Sequence, residues 1–428
     1  MTSPTRAART LRPRLPVVLR EERQYRLLFS GALLSLLGDR MTIVVLPFAV
    51  FAAGGGKAQV ALVSTAQFLP FVLLSLPAGV WADHHDRRRI LLASDATRML
   101  CQATAAALLL TGHARVTHLA VIAAVFGAAD ALAAPAFVGL MPRTLSDPAH
   151  LQSANALLGM TMSTGSVLGP AFAGVLVAIA GGPGTAIAVD AATFAFSFAC
   201  MLRLRPTPRP EHGKAHDLHF FASLRDGWGE VRRRRWIGAF LLAIGTYHVV
   251  VLPAVFVLGP VLAQTTMHGA SSWALITTGF GVGAMLGNVI ALRWRPRHAM
   301  YAASLLLMAG SCQAVIIGSG LPVIAIAGLE LLAGICVNNV WTLWDTSQQE
   351  HVPDVALSRV ASYDYLTTTG LIPVGNVLAA LVSSVVGLRT SMIGMSAIGI
   401  CVAAFVAGRP SIRSLPRPQP AAPRAAEV

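Results

Sequence analysis

The sequence predicts an all-α integral membrane protein, with twelve transmembrane helices arranged as two pseudo-symmetric six-helix bundles. Three observations carry this expectation. Apolar residues make up 55% of the 428-residue chain and charged residues only 12%, against roughly 25% charged in an ordinary soluble domain. Mean hydropathy is +0.64, and twelve units share the 428 residues at about 36 each, room for a ~20-residue spanning helix and a short connection. Landmarks also recur at one offset of 206 residues: Pro47 with Pro253, Arg87 and Arg89 with Arg293 and Arg295, Gly169 with Gly375, and Gly181 with Gly387. A constant offset is what a parallel duplication of six-helix halves leaves behind. A soluble enzyme, a disordered chain and a disulfide scaffold all fit this composition poorly.

The apolar runs fall near 27–51, 58–82, 90–112, 116–137, 155–180, 185–202, 237–262, 272–292, 299–318, 321–343, 364–386 and 390–408. In lipid each must be a helix, because no water is available there for unpaired backbone groups. Around them the sequence divides into a basic tail (1–24), a first bundle (25–202), a charged linker (203–236), a second bundle (237–408) and a second tail (409–428). No apolar signal segment precedes the first span. Of 33 basic residues, 28 fall on the side that carries both tails, and only Lys57, Arg115 and Arg389 fall on the other. The positive-inside rule then makes the tails cytoplasmic, and the expected location is the plasma membrane. The same rule accounts for the net charge of +14 without nucleic acid as a partner. The five cysteines sit in apolar runs without metal-binding spacing and read as packing residues. No metal or cofactor is expected. The expected partners are a small-molecule substrate, protons and the lipid bilayer, around a monomer.

Between the second and third spans lie Gly79, Asp83, Asp86, Arg87 and Arg88. This loop resembles the signature loop of the major facilitator superfamily, at the matching place in the topology. His84 stands where the family carries Arg, which puts the ion pair of that Arg in doubt. The resemblance implies a conformational latch. In it Asp83 faces the start of the eleventh span near Ser362, while Arg87 and Arg88 pair with acids of neighbouring helices. Asp95 and Arg98, three residues apart, read as a local ion pair supporting the latch.

In the fifth span, Gly165, Gly169, Pro170 and Gly174 resemble the exporter motif of the same superfamily, with Ala173 replacing one glycine. Glycines at this spacing form a flat packing face, and Pro170 kinks the helix. The resemblance implies export by antiport. Finer likenesses include the run from Met141 to Leu157, the segment opening at Asp190, and Val352-Pro353 followed by Arg359 to Ser362. These resemble the macrolide-efflux and enterobactin-exporter branch. Gly279, Gly281, Gly283 and Gly287 mimic a dinucleotide loop, but they sit mid-span without a βαβ pattern and read as helix packing.

Ionisable groups inside the membrane are functional candidates by default. Asp39, Arg40, Asp130, Asp190 and Glu330 are the candidates for proton coupling or substrate binding. Asp39 and Glu330 lie nearest the expected midplane, and each has two readings, a coupling or substrate role and a structural hydrogen-bond role. Asp39 and Arg40 are adjacent, so their side chains diverge by about 100° on a helix. Asp364 reads as a first-turn acid of the eleventh span. Trp341, Trp344, Tyr247 and Phe137 are candidates for an aromatic cavity wall. The expected function is proton-driven export of small lipophilic or cationic molecules. A dedicated siderophore or secondary-metabolite exporter and an importer remain open. A membrane enzyme is the weakest reading, since the chain holds no H-E-x-x-H or G-x-S-x-G motif.

Overall fold

The structure, a computed structural model, describes residues 16–180, 182–206, 228–229 and 231–415. Most of the linker and much of both tails lie outside the described residues, among them Arg6, Arg9, Arg12, Arg14, Arg209, Arg225, Arg417 and Arg424.

Among the described residues, twelve long helical segments run in order. In the first half these are α1 (Arg23–Ala52), α2 (Lys57–His84), α3 (Arg87–Leu110), α4 (Val116–Leu140), α5 (Leu151–Ala180) and α6 (Pro183–Arg203). The second half has α7 (Arg235–Thr266), α8 (Ala270–Ala291), α9 (Ala299–Gly318), α10 (Val323–His351), α11 (Tyr363–Val386) and α12 (Leu388–Ala407). Eleven are long and apolar enough to cross a membrane. The exception is α3, which carries Asp95, Arg98 and Gln102. It buries all three against protein, packed on α4 and α6.

The duplication shows in the packing. Within the first half α2 packs on α4, α3 on α6 and α1 on α5; within the second, α8 packs on α10, α9 on α12 and α7 on α11. The halves meet through α5 against α8 and α2 against α11, two contacts that exchange under the same pseudo-two-fold. Gly169 and Gly375, paired by the 206-residue offset, do equivalent work. A methyl group on Gly169 would strike the backbone of Arg40 in α1, and one on Gly375 would strike the backbone of Val249 in α7.

The glycine run of α8 is packing, as its mid-span position suggested. Gly279 and Gly283 lie against the carbonyls of Ala327 and Leu331 in α10, whereas Gly281, on another face, lies against Ser166 of α5. Gly283→Ala therefore forces α8 and α10 apart. It should lower stability by about 1–3 kcal/mol, the usual cost of overpacking. Gly394→Ala in α12, where an added methyl meets nothing, should be neutral or slightly stabilising. Thermal unfolding of the two purified variants in detergent checks the pair; equal midpoints would refute the close-packing account.

Two local features depart from the expected spans. α7 is not a uniform α-helix: π-helical turns at Tyr247–Val251 and Ala254–Leu258 flank Pro253. Insertions of this kind re-aim side chains and collect at functional sites. The helix leading into α11 begins at Asp354, so Asp364 is not in a first turn. Its carboxylate instead accepts a hydrogen bond from the Trp344 indole at 3.0 Å.

Both halves also meet near the ends of the helices. Lys57 Nζ donates to the Ser383 carbonyl in the last turn of α11 at 2.9 Å, where a cation is favoured by the helix dipole. Nearer the face that carries the termini, Asn288 of α8 donates to Ser163 of α5 at 3.0 Å.

Candidate functional site: an interhelical cavity beside a buried acid cluster

Three consecutive residues of α1 point three ways, because each helical step turns the side chain by about 100°. Gly38 lies against the Asp190 carboxylate of α6, with no room for a side chain. Asp39 turns toward Arg98 of α3. Arg40 turns into a cavity between the two halves.

Arg98 organises the first of these regions. Its guanidinium bonds Asp95 at 2.7 Å, as the i, i+3 spacing predicted, and reaches Asp130 at 3.2 Å and Asp39 at 4.0 Å. It also lies over the Phe194 ring, 4.5 Å from the centroid. Ser197 donates to the far oxygen of Asp95 at 2.7 Å. The three acids are not equivalent. The Arg98 side chain is 8% exposed, whereas Asp39 and Asp130 are 29% and 42% exposed. Asp190 is fully buried. It accepts hydrogen bonds from Thr42 at 2.7 Å and from Gln102, and so ties α1, α3 and α6 together.

The cavity, about 250 Å³, is walled mainly by apolar and aromatic side chains of both halves. Trp341 and Tyr247 line it, as the aromatic reading expected, together with Trp273 and Phe280. Trp344 does not; it is buried against Trp236 and Phe240. Phe137 packs elsewhere, near α1 and α3. The π turn of α7 brings Tyr247 and His248 to the wall. The Tyr247 hydroxyl donates to Gln313 Oε1, and Gln313 Nε2 donates to Glu330 Oε2 at 2.9 Å. Glu330 Oε1 is buried and has no hydrogen-bond partner among the described residues.

The exporter-like motif lies between these regions. Gly165 and Gly169 face α1 at Leu36 and Arg40, Pro170 lines the cavity, and Gly174 faces Ala274 of α8. Its small residues thus set how closely α5 approaches both α1 and the opposite half.

In the latch-like loop, Asp86 caps the start of α3 by accepting from the Arg88 amide at 2.9 Å. Among the described residues Arg88 pairs with no acid, where the resemblance implied one; it bonds the Met201 and Leu202 carbonyls at the end of α6, at 2.9 and 2.8 Å. Arg87 lies beside Gly139 at the end of α4. α2 runs through Gly79 and Asp83, but their side chains and that of Ser362 lie outside the described residues. His84, His85 and Asp86 form no metal-binding group, and none occurs among the described residues.

A family model described as a transmembrane secretion effector matches residues 18–422. The chain belongs to that family, within the major facilitator superfamily. The transporter is 25% identical over 403 residues to the multidrug efflux pump Tap of Mycobacterium tuberculosis, covering 91% of this chain and 94% of Tap. It is 24% identical over 405 residues to the staphyloferrin A transporter of Staphylococcus aureus, covering 89% and 95% of the two chains. Its fold matches a crystal structure of a mutant nucleoside transporter NupG with a TM-score of 0.71 at 10% identity, over 90% of this chain and 98% of that one.

One feature of the transporter had no signal in the sequence. Glu22, just before α1, accepts from the Ser146 amide (2.8 Å) and hydroxyl (2.7 Å), the Asp147 amide (3.1 Å) and His150 Nδ1 (3.0 Å). Burial alone would raise its pKa, but the bonds from His150, Ser146 and Asp147 outweigh that and hold it at about 2. The His150 pKa is raised, chiefly by its bond to Glu22. Glu22 therefore stabilises the α4–α5 connection above the unfolded carboxyl value of 4.5 and loses that effect as pH falls through about 2. His150 contributes fully below 6.5 and loses its contribution as pH rises through its elevated folded value. Amide exchange at Ser146 and Asp147 should accordingly be slowest relative to the unprotected rate between about pH 4.5 and 6.5. Glu22→Gln should remove that window; an unchanged profile in the variant would show that the tether does not hold the loop.

Proposed function

We propose that the transporter exports small lipophilic or cationic molecules from the cell in exchange for protons, by alternating access of its two halves. The observation that carries this reading is the separation of two charged regions. A cavity between the halves holds Glu330 in an aromatic wall, while Asp39 and Asp130 stand partly exposed around Arg98 in the first half. An apolar pocket with a few placed polar groups suits a lipophilic ligand, and Glu330 supplies the counter-charge for a cation. Four carboxyls, those of Asp39, Asp95, Asp130 and Asp190, surround the single guanidinium of Arg98. This surplus lets the cluster take up a proton without acquiring net positive charge.

The protein sits in the plasma membrane with both termini in the cytoplasm, an orientation supported by the basic bias of that side. Bundles at 25–202 and 237–408 act as the two rocking units, and the protein works as a monomer. The loop containing Gly79, Asp83, Asp86, Arg87 and Arg88 latches the cytoplasmic face, with Asp95 and Arg98 behind it. The names of the relatives, a multidrug efflux pump among them, support efflux as the direction.

Purified protein in proteoliposomes tests the reading. With an imposed pH gradient, inside acidic, a lipophilic monocation such as ethidium should accumulate, and a protonophore should abolish the uptake. Accumulation that ignores the gradient would overturn proton antiport. A dedicated siderophore exporter is the second reading, favoured by the relative named for staphyloferrin A.

A further inference from the structure

Arg40 has no role in the scheme above, yet it is a permanently charged group halfway along a membrane-spanning helix. It lines the cavity, and its guanidinium makes no hydrogen bond and no ion pair within 4 Å among the described residues. The neighbouring carboxyl of Asp39 is directed to Arg98. Nor can the Arg40 backbone withdraw, because α5 is packed directly on it through Gly169, with Gly165 against its stem. The charge of Arg40 acts on Asp39 through space, but a guanidinium without a direct hydrogen-bonded partner beside a largely apolar cavity is costly unless an anion meets it. Guanidinium matches carboxylate or phosphate geometry with two parallel hydrogen bonds.

On the other half, Glu330 lines the same cavity. Its Oε2 is occupied by Gln313 and its Oε1 lacks a partner among the described residues. The cavity therefore presents one cation from α1 and one acid from α10, in a wall that also holds the aromatic surfaces of Trp273, Phe280 and Trp341. We propose that this cavity selects ampholytes, molecules whose apolar body carries an anionic group for Arg40 as well as a cationic group for Glu330. The inference rests on the reading of this cavity as the transport site. It narrows that reading: a ligand with both charges is gripped by both halves, and a simple lipophilic cation by one.

The test is equilibrium binding to the full-length protein in nanodiscs by titration calorimetry at pH 7. Three congeners serve as probes: an arylpiperazine carboxylic acid (both charges), its methyl ester (cation only) and its N-acetyl derivative (anion only). The acid should bind about tenfold or more tightly than either derivative, as expected for one charge-assisted hydrogen-bonded pair. Arg40→Gln should bring the acid to the affinity of the ester, and Arg40→Lys should keep part of the preference. Glu330→Gln should bring the acid to the affinity of the N-acetyl compound. Equal binding of acid and ester by the unaltered protein overturns the inference but leaves export of cations standing. So does a preference for the acid that survives Arg40→Gln. Binding of none of the three overturns both. The ranking by the unaltered protein needs no variant, so a failure of Arg40→Gln to fold does not shelter the inference.

Discussion

Arg98→Leu is expected to cost the transporter its fold, not only its turnover. The guanidinium is nearly fully buried and holds Asp95, Asp130 and Asp39 from three different helices. Its removal leaves acids of α1, α3 and α4 facing one another without a cation. Breaking a buried pair by deleting one partner costs about 3–5 kcal/mol, a large part of a total stability of about 5–15 kcal/mol. Arg98→Lys should rescue only part of this, because an ammonium cannot reproduce the fork that reaches several carboxylates together. Adding Asp95→Asn to Arg98→Leu should recover some of the loss, because it removes the most buried of the stranded acids. Yield from the membrane and the unfolding midpoint in detergent are the measurements. A stable Arg98→Leu protein with the midpoint of the unaltered chain would show that the cluster is not what holds the first half together.

Asp39→Asn and Glu330→Gln are expected to abolish accumulation driven by a pH gradient while leaving the protein folded. A carboxyl that exchanges protons must alternate between surroundings that favour its anion and surroundings that favour its neutral form. Asp39 is suited to this: it is partly exposed, and its contact to Arg98 is long at 4.0 Å, whereas Asp95 is locked at 2.7 Å. A modest shift of α1 can make or break the Asp39 contact. Glu330, in the cavity wall, is assigned to the substrate. The two variants should therefore differ in binding. Asp39→Asn should retain affinity for a cationic ligand, and Glu330→Gln should lose about tenfold or more. Downhill flux should remain measurable in Asp39→Asn. Full pH-driven transport in both variants would make these acids structural and pass the coupling role to Asp130, the other partly exposed acid on Arg98, or to Asp190.

Much of this architecture is legible in the sequence, and the reason is the solvent. In lipid a backbone with no water to bond must close its own hydrogen bonds, so a run of about twenty apolar residues has one outcome. The expected third span does form a helix, α3, though Asp95, Arg98 and Gln102 leave it less apolar than the other eleven. Glycine spacing was equally readable. The Gly279–Gly287 run and the Gly165–Gly174 motif both require a close neighbour, and both have one. The i, i+3 pair of Asp95 and Arg98 followed from helix geometry alone.

The partners of the polar side chains were not legible, because they lie far apart in the chain and no local pattern encodes them. Thr42 meets Asp190 across 148 residues, Gln102 meets Asp190 across 88, and Glu22 meets Ser146 across 124. Gln102 and Gln313 stood out only as amides in apolar runs, a signal that marks a buried hydrogen bond without naming its other end. Tertiary packing also sorted the aromatics, sending Trp273 to the cavity and Trp344 to the core, though the sequence treats both as apolar helix positions. It decided too that Arg40 faces the cavity while Asp39 faces Arg98. Sequence determined that adjacent residues must diverge by one helical step. Which way each then points depends on the rotation of α1, set by Gly38 against α6 and Gly169 against α1.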